Sequence, residues 1–126
     1  VCVALAFGLV LASHLPVIVA KAKLGYDNKQ PRKQAAKLKG WGARAWGAEQ
    51  NAIESFAPFA AAVVIAHLAG ADPERSTLLA YVFVGARTLH LATYLANLDY
   101  LRTGLWFMGV LATAGLFVLA YVAGGT

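Results

Sequence analysis

Apolar residues fill the chain in four long runs, separated by three polar connections, and these runs set the expected fold. A hydrocarbon core about 30 Å thick takes roughly 20 helical residues at about 1.5 Å each. Runs of that length fall at about 1–20, 45–69, 77–95 and 105–123. They predict an all-α, four-transmembrane-helix bundle, a single membrane domain over residues 1–126. Pro16 and Pro58 lie inside two of the runs. Within a membrane bundle neighbouring helices re-satisfy the carbonyl a proline frees, so each is read as a kink rather than an end. The opening run, VCVALAFGLVLASHLPVIVA, is followed by basic residues and has none before it. It is read as a retained span rather than a secretory signal.

The connections differ sharply in charge. Eight of the eleven basic residues lie in the first, from Lys21 to Arg44, with Asp27 as its one acid. The second, GADPERS, holds Asp72, Glu74 and Arg75; the third, NLDYLRTG, holds Asp99 and Arg102. The positive-inside rule puts the first and third connections in the cytoplasm and both termini outside. The first connection also has helical character. Pro31 suits the first turn of a helix. From Pro31 to His67 the sequence reads as one helix about 55 Å long, whose first turns would project beyond the membrane. Trp41 and Trp46 then fall near the interface, where indole is favoured.

Composition agrees with this membrane reading. Apolar residues make up 60% of the 126 and charged residues only 13%, about half the usual globular share. Mean hydropathy is +0.60. The net charge of +5 comes from the first connection, which suits an anionic lipid surface better than nucleic acid. The single cysteine, Cys2, excludes an intrachain disulfide and a cysteine-cluster metal site.

A few polar residues interrupt the spans. Asn51 and Glu54 are three apart and share a helix face, with Arg44 and Gly47 behind them and Pro58 ahead. In the third span Arg87, His90 and Tyr94 occupy one face, and Arg102 opens the fourth. A charge inside the membrane costs about 2.5–3.5 kcal/mol even on the lenient insertion scale, so these groups should face the bundle interior with partners. Arg44, Asn51, Glu54, His90, Tyr94 and Arg102 can gather at the cytoplasmic side, with Arg87 closing the cluster from mid-depth. From the residues alone this cluster serves a structural pair, a ligand pocket or a proton path. His14 and His67 are read as interface residues near the outer ends of their spans. The three histidines lack metal-ligand spacing, and no metal site is expected. No phosphate loop or Ser-His-Asp arrangement can be assembled.

Across nearly the whole chain these features resemble the MAPEG family, the membrane-associated proteins in eicosanoid and glutathione metabolism. The matching stretches are DNKQPR, GWGARA, NAIESFAPFAAAV and the Arg87–Tyr94–Leu101–Arg102 pattern, closest to small bacterial members. The resemblance implies a homotrimer in a bacterial inner membrane. Glutathione would bind between subunits as co-substrate near the cytoplasmic face, with a lipophilic small molecule arriving from the lipid bilayer. By position, Glu54 would receive the γ-glutamyl ammonium and Asn51 would bond the peptide. Arg44 and Tyr94 would hold carboxylates and backbone, with Arg87 and His90 lining the pocket. Arg102 would stabilise the thiolate, with Tyr94 beside it as the other catalytic candidate. A guanidinium favours the thiolate of a thiol whose free pKa is about 8.5. The implied activity is a glutathione transferase or peroxidase. The leukotriene and prostaglandin E synthases of this family carry a basic residue where this chain has Gly47, and the prostaglandin synthase another at Gln50. Those two positions favour a rival reading: a non-catalytic lipid-binding scaffold, or an accessory subunit of a larger membrane complex.

Overall fold

The computed structural model describes residues 1–125, all of its regular structure helical. The elements are α1 (Cys2–Ala22), α2 (Pro31–Ala36), α3 (Trp41–Leu68), α4 (Pro73–Leu95) and α5 (Asp99–Gly124). Four of them, α1, α3, α4 and α5, are long and apolar enough to cross a membrane. The protein is a multi-pass integral membrane protein. Helices α1 and α3 run through Pro16 and Pro58 without interruption.

The turns that reverse the chain are tightly specified. After α3, Gly70 takes a left-handed conformation (φ 71°). Its amide bonds the His67 carbonyl and the Ala71 amide bonds Ala66, which closes the helix with a six-to-one bond. After α4, Asn97 (φ 61°) does the same, its amide on Tyr94 and that of Leu98 on Thr93. Asn is the commonest substitute for Gly at this position. The Asp72 side chain caps α4 by accepting from the Arg75 amide at 2.7 Å, and Pro73 follows at the first turn. The short loops at 69–72 and 96–98 therefore make α3, α4 and α5 antiparallel neighbours. They also bring the end of α4 and the start of α5 back beside the basic connection.

The long helix expected from Pro31 to His67 is in fact two. α2 stops at Ala36, and α3 begins only after Gly40, whose φ of +54° no L side chain adopts easily. The basic connection is folded rather than loose. Gln34 clips it together, its amide donating to the Gly25 carbonyl at 2.6 Å and its oxygen accepting from the Asp27 amide at 3.0 Å. Ala35 and Leu38 are buried with Val17, Ala20 and Ala45. Gly42 brings α3 close to α1, since a Cβ there would stand 3.1 Å from that of Ala20.

The main core lies between α3, α4 and α5. Phe59 and Phe83 stack at its centre, ring centroids 3.8 Å apart and planes 4° from parallel. Ala62, Ala66, Ala80, Ala112 and Leu116 pack around them. Small residues dominate because association inside lipid depends on close backbone approach rather than on escape from water. α3 and α4 each pack against all three other spans, whereas α1 and α5 backbones nowhere approach within 8 Å. α1 and α5 therefore stand at opposite corners of the bundle, with α3 and α4 between them.

Candidate functional site

The polar side chains collect near the basic end of the bundle, on α3, α4 and the start of α5. Arg87 is central. It sits mid-helix on α4 and is only 6% exposed. Its Nη2 donates to the Asn51 side-chain carbonyl across the α3–α4 seam. Its aliphatic stem lies over Gly109 of α5, where a Cβ would stand 3.2 Å from Arg87 Cδ. One residue therefore ties three spans together.

One turn further along α4, His90 is 2% exposed and meets the Tyr94 ring edge-on at 5.6 Å. Tyr94 also carries Arg102, whose guanidinium carbon stands 4.4 Å from the ring centroid. This is cation–π geometry, and it holds a flexible arginine at a fixed place. The Tyr94 hydroxyl points at α3. A Cβ added to Gly47 would stand 2.5 Å from that oxygen and 2.9 Å from Cζ. Gly47 is the gap into which Tyr94 fits. The absence of a side chain there, read from sequence only as a missing basic group, has a positive structural role.

Asn51, His90, Tyr94 and Arg102 line an open cleft of about 240 Å³, with Thr103 and Trp106 completing its wall. Trp106 and Arg87 also border an apolar groove of about 260 Å³ between α3, α4 and α5, floored by Phe83, Val110 and Phe117. A polar cleft and an apolar groove thus meet at one indole. Thr103 and Trp106 were not among the expected site residues. Their one- and four-residue spacing from Arg102 was the available signal.

Five of the seven expected site residues, Asn51, Arg87, His90, Tyr94 and Arg102, come together. Glu54 and Arg44 do not line the cleft. Glu54 is exposed on the surface of the single chain. Three residues on from Asn51 is about 60° round the helix, enough to carry a side chain from the α3–α4 seam to the outer surface. Arg44 is half-buried near the start of α3, and its Nε is enclosed with no hydrogen-bond partner.

The sequence reading also misplaced His14. It is not at the outer end of its span but just past the middle of α1, toward the basic connection, where Nδ1 meets the Glu49 carboxylate. Glu49 is 8% exposed and His14 half-exposed. Their depths match: His14 precedes the end of α1 at Ala22 by eight residues, and Glu49 follows the start of α3 at Trp41 by eight. In a double-mutant cycle of His14→Ala and Glu49→Ala, unfolding in detergent should show a coupling of about 1 kcal/mol or more. Strict additivity would mean that the contact does not hold α1 to α3.

The His14–Glu49 pair is the one ion pair among the described residues, so Arg102 at the cleft and Arg87, buried behind Asn51, have no carboxylate partner. An open polar cleft bordered by an apolar groove, in a chain with four helices long and apolar enough to span, defines a class: a polytopic membrane protein. Within that class the family is fixed by comparison. The MAPEG family model matches residues 1–122, and the chain belongs to that family. No curated protein and no solved structure matches it.

Proposed function

We propose that this protein binds glutathione or a related thiol peptide in the cleft of Asn51, His90, Tyr94 and Arg102 and uses it on a lipophilic electrophile or peroxide. Membership of the MAPEG family supports a membrane protein of glutathione-related function in general. The observation that carries the specific reading is Arg102, held over Tyr94 at the mouth of the cleft with no protein carboxylate to neutralise it. A cation so placed stabilises a thiolate over a thiol and favours attack. In conjugation the sulfur forms a bond to carbon as the leaving group departs with its electron pair. The thiol proton goes to water at the open side. Arg102 is the catalytic candidate that would touch sulfur. Tyr94, its hydroxyl turned to α3, serves to position Arg102. The apolar groove beyond Trp106 would take the co-substrate.

The reading includes a homotrimer in a bacterial inner membrane, with the basic connection cytoplasmic. Glu54 supports an assembly: an exposed carboxylate on a spanning helix calls for a partner surface, and a second copy would supply one. Arg44, with an enclosed unpartnered Nε, would then take a ligand carboxylate. The test is steady-state conjugation of glutathione to a chloronitrobenzene by the purified full chain, with calorimetry of glutathione binding. Arg102→Ala should lower kcat/KM by about 10–100-fold, the loss expected for one charge-assisted contact. Glu54→Ala should weaken binding by a similar factor. Unchanged rates in both variants would remove the site assignment, and no binding at millimolar glutathione would remove the thiol reading.

A further inference from the structure

A second concavity lies at the basic end of the bundle, apart from the cleft. It has a volume of about 500 Å³ and opens between the end of α1, the α2–α3 link and the start of α3. Lys23, Lys37 and Lys39 stand around it, and its floor is Ala20, Leu38 and Gly42. Leu24 and Trp41 complete the wall, 59% and 39% exposed.

The chemistry of this groove is one-sided. No acid lines it, and none of its lysines makes an ion pair. Asp27, the one acid in the connection, is taken up by the Lys29 amide at 2.9 Å. The backbone that carries the lysines is fixed in place. Gln34 clips the loop, Leu38 is buried between Lys37 and Lys39, and Gly40 with its left-handed φ fixes the step from Lys39 to Trp41. The charge is therefore held on one concave wall, while an aliphatic side chain and an indole are left uncovered beside it. It lies where α1 leaves the membrane, the depth at which indole and lysine heads meet phosphate groups.

We propose that this groove is a binding site for an anionic phospholipid. The headgroup phosphate would sit among Lys23, Lys37 and Lys39, and the first acyl carbons would lie along Leu24 and Trp41. A free phosphate would use the lysines but leave the apolar wall unused. Charge complementarity and the joined apolar surface together select the lipid. The proposal does not depend on a thiol or on catalysis.

The test uses the full chain in zwitterionic phosphatidylcholine nanodiscs, titrated with phosphatidylglycerol brominated near the top of its acyl chains. Bromine quenches nearby indole fluorescence. Quenching should saturate with phosphatidylglycerol, be weaker with equally brominated phosphatidylcholine, and lose its saturable part in Trp41→Phe. The triple variant Lys23→Gln/Lys37→Gln/Lys39→Gln should weaken saturation by about tenfold or more. A triple variant outside the groove, Lys29→Gln/Arg32→Gln/Lys33→Gln, removes the same charge and should weaken it less than about threefold. Equal losses in the two triples would mean a diffuse surface charge and overturn the site. Equal quenching by the two lipids, or saturable quenching that survives in Trp41→Phe, would overturn it as well. Displacement of the lipid by millimolar inorganic phosphate would reassign the groove to free phosphate and overturn the lipid proposal. The Trp41 readout leaves the lysines intact, so the proposal stays testable if the groove triple fails to fold.

Discussion

Arg87→Ala should cost the solubilised protein about 3 kcal/mol of unfolding free energy, with no ligand present. The amide of Asn51 would lose its charged partner inside the bundle, worth roughly 1–3 kcal/mol. The space left over Gly109 would add a cavity cost of similar order. Arg87→Lys keeps the charge but not the planar fork, so it should fall between the two. Denaturation followed by circular dichroism in one detergent measures both. If Arg87→Ala unfolds within about 0.5 kcal/mol of the unmodified chain, as an ordinary surface change would, Arg87 is not the tie between three spans.

The second large effect is expected at Gly47. Gly47→Ala puts a methyl group where the Tyr94 hydroxyl now sits. Overpacking of this kind costs about 1–3 kcal/mol, and the ring must swing away from α3 to relieve it. Arg102 then loses its aromatic support, so on the proposed function glutathione affinity should fall together with stability. Tyr94→Phe removes the nearest atom, and in the double variant part of the stability should return. The cycle should report a coupling above about 0.5 kcal/mol. Additive losses would show that Gly47 and Tyr94 do not meet. The experiment also bears on the family comparison made from sequence. An arginine at position 47 could not coexist with Tyr94 in its present place, so restoring the basic residue by substitution alone should damage the cleft.

Much of the fold was open to reading because lipid imposes it. Helices that cross a hydrocarbon layer must be long and apolar, and such runs stand out in any sequence. The break before α3 was harder. Gly40 was visible as a weak helix former, but its left-handed backbone depends on Leu38 docking against α1, a tertiary event. The site divided in a similar way. Arg87, His90 and Tyr94 follow helical spacing on one element, and that arithmetic survives folding. Asn51 and Glu54 also obey the spacing, yet the seam between α3 and α4 runs between them, and only the crossing of two helices decides which side each takes. The contact of His14 with Glu49 joins residues 35 apart in sequence, and nothing local announces it.

The tie between Asn51 and Arg87 has a consequence in time. A chain made from its amino end delivers α3 to the membrane before α4 exists, so Asn51 enters the bilayer one helix ahead of its partner. During that interval the amide has no guanidinium to receive. The reversal at 69–72 is short and rigidly closed, so α4 follows immediately, antiparallel and in register. Arg87 in turn crosses as part of a hairpin whose other limb already presents an acceptor at its depth. The charge and the amide that would each be a burden to a lone helix arrive as complements, and α5, with Gly109, closes over them last.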